Sequence, residues 1–174
     1  MLFNPTPLAG AYTIDIDKKA DERGFFARAF CAEEMAGQGL KGGVVQANLC
    51  STHRQGTLRG LHYQTPPVTE TKFIRCVRGA IYDVIVDMQP DSLTYLQHVG
   101  VELSADNRQA LYVPQMFANG YLTLTDDVEI IYLVSEFYTP GYEQGVQYDD
   151  PKLGIRWPQP VTLVSEKDRS WPLL

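Results

Sequence analysis

Phe73-Ile-Arg-Cys-Val-Arg-Gly-Ala-Ile-Tyr-Asp-Val-Ile-Val-Asp-Met88 decides the fold class. In residues 81–88, Asp83 and Asp87 fall on one side, and Tyr82, Val84, Val86 and Met88 on the other. That is the period-2 alternation of a β-strand. Residues 73–78 read as a preceding strand, and Gly79-Ala80 supplies a tight connection, so the stretch predicts a hairpin. Outward from it, residues 44–49, 94–103, 110–113, 120–125 and 128–135 carry further strand signals, separated by segments rich in Asp, Asn, Pro and Gly. Many short strands at close spacing predict an all-β sandwich or barrel. Helix signals are confined to residues 32–36, closed by Gly37 and Gly39, and to a short turn from Ser165.

The chain has 174 residues, 44% hydrophobic and 21% charged, enough for one domain with a real core and no linker or repeat, spanning residues 1–174. A formal charge of −6 gives no broad basic field to recruit nucleic acid or an anionic membrane. The longest uncharged run, residues 109–125, contains Pro114, Asn119 and Gly120, which argues against a transmembrane helix. The N-terminus shows no basic leader followed by an apolar block, and three cysteines cannot all pair within one chain. A reduced, cytoplasmic protein is expected.

Three histidines, His53, His62 and His98, narrow the search for chemistry. Alternation through Leu58-Arg-Gly-Leu-His-Tyr-Gln64 puts Arg59, Leu61 and Tyr63 on one face and Leu58, Gly60, His62 and Gln64 on the other. Gly60 would leave room for a ligand beside His62, and the alternative for His62 is a partly buried ring satisfied by a carbonyl. His53 and His98 lie in polar segments. No His-x-His pair accompanies His62, and Asn119 stands where a later metal ligand would be expected, so no metal is expected. Dinucleotide-binding, P-loop and nucleophile-elbow motifs are also absent.

Asp21-Glu-Arg-Gly-Phe-Phe26, Gln46-Ala-Asn48, Leu58-Arg-Gly-Leu-His-Tyr-Gln64, Lys72, Asp83-Val-Ile-Val-Asp87, Val113-Pro-x-x-Phe-Ala-x-Gly120, Tyr132, Asp149-Asp-Pro151, Ile155-Arg-Trp-Pro158 and Ser165-Glu-Lys-Asp168 occur in this order. In order and spacing they resemble the dTDP-4-dehydrorhamnose 3,5-epimerase family, over nearly the whole chain. The resemblance implies a metal-free cupin-type double-stranded β-helix, a jelly-roll barrel with short peripheral helices. It further implies a homodimer that inverts carbons beside the C4 ketone of a dTDP-linked 6-deoxysugar without a cofactor.

By that resemblance, His62 is the base and Asp168 its partner, Lys72 stabilises the enolate, and Tyr132 is the acid on the opposite face. Read from the residues alone, Ser165-x-x-Asp168 is equally a capping box, Lys72 a surface lysine and Tyr132 a core tyrosine. Arg59 and Arg23 resemble diphosphate ligands, Arg23 supplied by a partner subunit. Arg59 sits on the wrong strand face for this unless a twist or bulge intervenes. Gln46 and Asn48 are expected in the polar lining, with Phe26 and Tyr138 offering ring surfaces.

Two positions depart from the pattern. Asn119 replaces the family's usual histidine; it cannot transfer protons, and it is expected to donate a hydrogen bond to the substrate instead. Arg28 stands where an acidic residue is common. Three readings follow: a 3,5-epimerase making dTDP-4-dehydro-L-rhamnose, a single-centre epimerase of a related nucleotide 4-ketosugar, and a catalytically silent nucleotide-sugar-binding cupin.

Overall fold

A computed structural model describes residues 1–174. The strands are β1 (Leu2–Pro5), β2 (Tyr12–Asp15), β3 (Lys19–Asp21), β4 (Gly24–Phe26), β5 (Gln46–Thr52), β6 (Thr57–Gln64), β7 (Lys72–Arg78), β8 (Ala80–Asp87), β9 (His98–Ser104), β10 (Ala110–Val113), β11 (Phe117–Thr123), β12 (Val128–Val134), β13 (Glu143–Gly145) and β14 (Leu163–Val164). The helices are α1 (Ala32–Gly37), after β4, and α2 (Glu166–Arg169), after β14. Neither helix is long and apolar enough to cross a membrane.

One sheet runs β1-β2-β10-β7-β12-β5 and the other β13-β6-β11-β8-β9, with β14 added beside β6; β3 and β4 form a separate ribbon. The two large sheets are packed into a double-sheet jelly roll and remain open at their edges. Ile74, Leu111, Val113 and Ile130 from the first sheet meet Ile81, Ile85, Leu103 and Phe117 from the second in one shared core. The outer face of the second sheet is covered as well, because Leu61, Val84, Val86 and Ala118 pack under Val146 and Leu153.

The hairpin expected at residues 73–88 does not form. β7 pairs with β10 and β12, whereas β8 pairs with β9 and β11 in the opposite sheet. Only Gly79 separates the two strands, one residue short of the favoured two-residue hairpin loop. Gly79 instead turns a corner between sheets at φ +71, and a Cβ there would come within 2.5 Å of Thr125 Oγ1. This crossing directs the inner face of β8, with Asp83, at β7.

Gly60 also differs from expectation. Rather than leaving a space for ligand, it lets two backbones touch: a Cβ at Gly60 would lie 2.5 Å from Gly120 Cα. Here the β6–β11 register slips, Asn119 opposing His62 while Tyr121 opposes Arg59. Gly60 and Leu61 of β6 thus oppose Gly120 alone on β11, which is a β-bulge. The extra residue turns Arg59 and His62 to the same side, while Leu61 packs away from the cavity in an apolar cluster.

Candidate active site

A cavity of about 520 Å³ opens between the two sheets. The second sheet contributes Arg59, His62, Asn119 and Tyr121, and the first contributes Lys72, Tyr132 and Cys50. An adjoining recess of about 330 Å³ shares His62, Lys72 and Tyr132 with it and is lined further by Gln46, Asn48 and Tyr138. The inner positions of β5, β7 and β12 recur at every second residue, which is how Asn48, Lys72 and Tyr132 reach one wall.

His62 Nε2 lies 2.6 Å from Asp168 Oδ1. Asp168 Oδ2 accepts from the Gly60 backbone N–H at 3.2 Å, so the bulge also fixes the carboxylate. Burial alone would raise the Asp168 pKa, but hydrogen bonds from His62, Gly60 and Ser165, together with the His62 charge, hold it below the ordinary value. With Nε2–H directed at Asp168, Nδ1 carries the ring's free lone pair. The two readings of Ser165-x-x-Asp168 coexist: Ser165 Oγ accepts the Asp168 backbone N–H at 3.1 Å, while the Asp168 side chain faces His62. The cap holds the first turn of α2 and so presents the carboxylate.

Lys72 is mostly buried; its Nζ donates to the His62 carbonyl at 3.2 Å and lies 3.5 Å from Glu70 Oε1. Tyr132 is half-buried, and burial, reinforced by the negative charge of Glu70, raises its pKa, so the hydroxyl keeps its proton at neutral pH. Arg59 Nε donates to Thr52 Oγ1 at 3.0 Å, steadying the guanidinium at the cavity wall. Gln46 Oε1 accepts the Tyr138 backbone N–H at 3.0 Å.

Arg23 and Phe26 are not in the cavity. They sit on the exposed β3–β4 ribbon, where Arg23 pairs with Asp21 at 2.6 Å and Phe26 is 70% exposed. Arg28 pairs with Glu34 at 3.0 Å at the surface. His53 faces solvent beside Asp127, and neither His53 nor His98 lines the cavity. No three His, Cys, Asp or Glu side chains converge.

Asn119 corrects an expectation. Its Nδ2 lies 2.5 Å from Asp83 Oδ1 and 3.3 Å from the Val84 carbonyl, so both amide protons are taken up within the protein and none is left to donate to a ligand. Two neighbours of this site escaped the sequence reading. Asp83, on the strand face that alternation leaves unassigned, is fully buried, and burial pushes its pKa up to about 7 against the lowering pull of Asn119 and Lys72. Trp171 packs edge-on to the His62 ring, with centroids 6.2 Å apart, in a space that only Gly145 leaves open. The paired carboxylate–amide contact across β8 and β11 was accessible only through strand register, and nothing in the tail's local pattern links Trp171 to His62.

The Asp83 environment has a measurable effect on stability. Above pH 3.8 the unfolded chain releases this proton, whereas the folded chain holds it to about pH 7, so stability falls as pH rises between those values. Asp83→Asn keeps an oxygen to accept from Asn119 and removes the titration. Urea unfolding should find it more stable than the parent at pH 8, by on the order of 4 kcal/mol, with the difference vanishing near pH 4. A pH-independent difference would show that Asp83 does not titrate this way.

The family model for dTDP-4-dehydrorhamnose 3,5-epimerase matches residues 5–174. The enzyme of that name from Methanothermobacter thermautotrophicus is 40% identical over 172 residues, covering 97% of this chain and 92% of its own. The crystal structure of the Bacillus anthracis enzyme, with TDP and PPi bound, superposes with a TM-score of 0.95 at 39% identity, covering 99% of both chains. The Legionella pneumophila structure, in complex with dTDP-4-keto-L-rhamnose, superposes with a TM-score of 0.92 at 33% identity, covering 99% of this chain and 92% of that one. Sequence and fold agree over essentially the full length: this chain belongs to the dTDP-4-dehydrorhamnose 3,5-epimerase family.

Proposed function

We propose that this epimerase inverts C3 and C5 of dTDP-4-dehydro-6-deoxy-D-glucose, giving dTDP-4-dehydro-L-rhamnose. The observation that carries the reading is the placement of the His62–Asp168 pair on one sheet's side of the cavity and of Tyr132 and Lys72 on the facing sheet. Both centres lie next to the C4 ketone, so one apparatus can serve each in turn. His62 Nδ1 removes the carbon-bound proton and the electron pair moves onto the C4 oxygen, giving an enolate. The Lys72 ammonium stabilises that oxygen, more strongly in a water-poor cavity than in solvent. Tyr132 returns a proton from the other face, and exchange with solvent resets both groups. Only protons move, so no redox cofactor is needed, and Lys72 supplies the positive charge that the enolate requires.

Arg59 holds the diphosphate at the cavity wall, and Gln46, Asn48 and Tyr138 in the adjoining recess hold the rest of the ligand. Residues 1–174 act as one catalytic domain, since both sheets share a core. The molecule works as a homodimer in which the β3–β4 ribbon brings Arg23 and Phe26 to the partner's cavity. Supporting this, Leu49, Val77 and Ile131 expose an apolar stripe on the outer face of the first sheet. Sedimentation at micromolar concentration should give twice the chain mass; a monomer would remove this part of the reading. A cytoplasmic location fits three unpaired cysteines.

The decisive experiment incubates the protein with dTDP-4-dehydro-6-deoxy-D-glucose in D2O and follows C3 and C5 by NMR. Deuterium at both carbons with formation of the L-sugar is the expected result. Exchange at one carbon would reduce the activity to a single-centre epimerase, and binding without exchange would leave a silent nucleotide-sugar binder.

A further inference from the structure

We infer that Asn119 is a specificity-determining residue whose amide oxygen accepts a hydrogen bond from a hydroxyl of the bound hexose, with Asp83 as the positioning residue that sets this polarity. The inference rests on the epimerase reading for the identity of the sugar, but the polarity follows from the protein alone. Asn119 Nδ2 faces Asp83 Oδ1 and the Val84 carbonyl. A main-chain carbonyl only accepts, so the reversed amide would set its oxygen against the Val84 carbonyl oxygen. The amide is therefore locked with its nitrogen inward.

Its oxygen takes no donor from the protein. The buried polar atoms lacking a partner are Asp83 Oδ2 and Trp171 Nε1, and Asn119 Oδ1 is not among them. It therefore opens onto the cavity that Asn119 lines. Asp83 cannot move aside to relax the arrangement: it has no exposed surface, and β8 is bound along its length to β11, with Asp83 paired to Tyr121 and Ile85 to Asn119.

An acceptor at this place selects among the groups of the sugar. In a 4-keto-6-deoxyhexose linked through C1, the ketone, ring oxygen and phosphates all accept; the only donors are the hydroxyls on C2 and C3. Asn119 thus cannot engage the ketone, which leaves that oxygen to Lys72, and it fixes the ring through a neighbouring hydroxyl. A sugar lacking that hydroxyl would bury the amide oxygen with no partner, the kind of penalty by which polar sites reject deoxy analogues.

Two measurements test this. In side-chain 15N NMR of the free protein, the Asn119 NH2 pair, identified by its loss in Asn119→Asp, should show two separate protons exchanging with water at least about tenfold more slowly than a free amide. Exchange at the free rate would overturn the inference whatever the enzyme's activity. In the deuterium assay, Asn119→Ala should lower kcat/KM about tenfold on the parent sugar and on one of its 2-deoxy and 3-deoxy analogues. It should have no effect on the other analogue, which lacks the contacted hydroxyl. Asp83→Asn, which still accepts from Asn119, should preserve that selectivity, and Asp83→Leu should erase it. An equal Asn119→Ala cost on both analogues would overturn the contact. If the parent protein exchanged no sugar proton at all, the epimerase reading would fail while the NMR result still judged the polarity of Asn119.

Discussion

His62→Ala should lower deuterium incorporation at C3 and C5 by about 10²–10⁴-fold, the contribution of a positioned general base, while affinity for dTDP is retained. The separation follows from where the contacts lie. Arg59 is braced by Thr52 and Ser51 on β5, and Gln46, Asn48 and Tyr138 reach the recess from chain segments other than the one that carries His62, with Gln46 held to the Tyr138 backbone. Alanine also leaves the Asp168 carboxylate, 4% exposed, without its imidazole partner, which costs stability. His62→Asn guards against that complication, because its amide can donate toward Asp168 while offering no base. Both variants should show the same kinetic loss. Appreciable exchange in a folded His62→Asn protein would remove His62 from the base role and direct attention to Tyr132 and Lys72 on the facing wall.

What could be read from the sequence was the character of each segment; what could not was which segments meet. Residues 81–88 alternate as a strand and form one, yet their pairing with residues 73–78 fails because the one-residue connection at Gly79 turns a corner between sheets. Alternation in a strand covered on both faces does not distinguish core from solvent, so Asp83 gave no sign of being wholly buried. Arg59 is the converse case. Strict period-2 reading put it on the face away from His62, and that conflict with a shared ligand pointed to a bulge, which the register of Asn119 and Tyr121 against β6 provides. His62, Lys72, Tyr132 and Asp168 were nameable only as a set, through resemblance, since each alone reads as an ordinary core or surface residue. Their meeting depends on contacts between positions as distant as His62 and Asp168, which no local pattern encodes.

Lys72→Met tests the other half of the mechanism, the fate of the electron pair. Methionine fills nearly the same volume without the charge, and kcat should fall by about 10²–10³-fold, the loss typical when a preorganised group facing a developing oxyanion is removed. The dissociation constant for dTDP should hold, because the charge on the C4 oxygen exists only after the proton has left and the nucleotide is gripped elsewhere. Lys72 is suited to this task because its ammonium is tied to the His62 carbonyl and to Glu70 before substrate arrives, so little reorganisation is needed when the enolate forms. The link to the His62 backbone also couples the proposed base and oxyanion stabiliser, since both are referenced to one peptide near the end of β6. The converse outcome, weaker dTDP binding with kcat intact, would make Lys72 a phosphate ligand and leave the enolate without a cation. The same substitution should raise the Asp83 pKa further, since Lys72 is the cation that opposes the effect of burial there. In a Lys72→Met protein the loss of stability with rising pH should therefore continue to higher pH than in the parent, a shift that urea titrations can read independently of turnover.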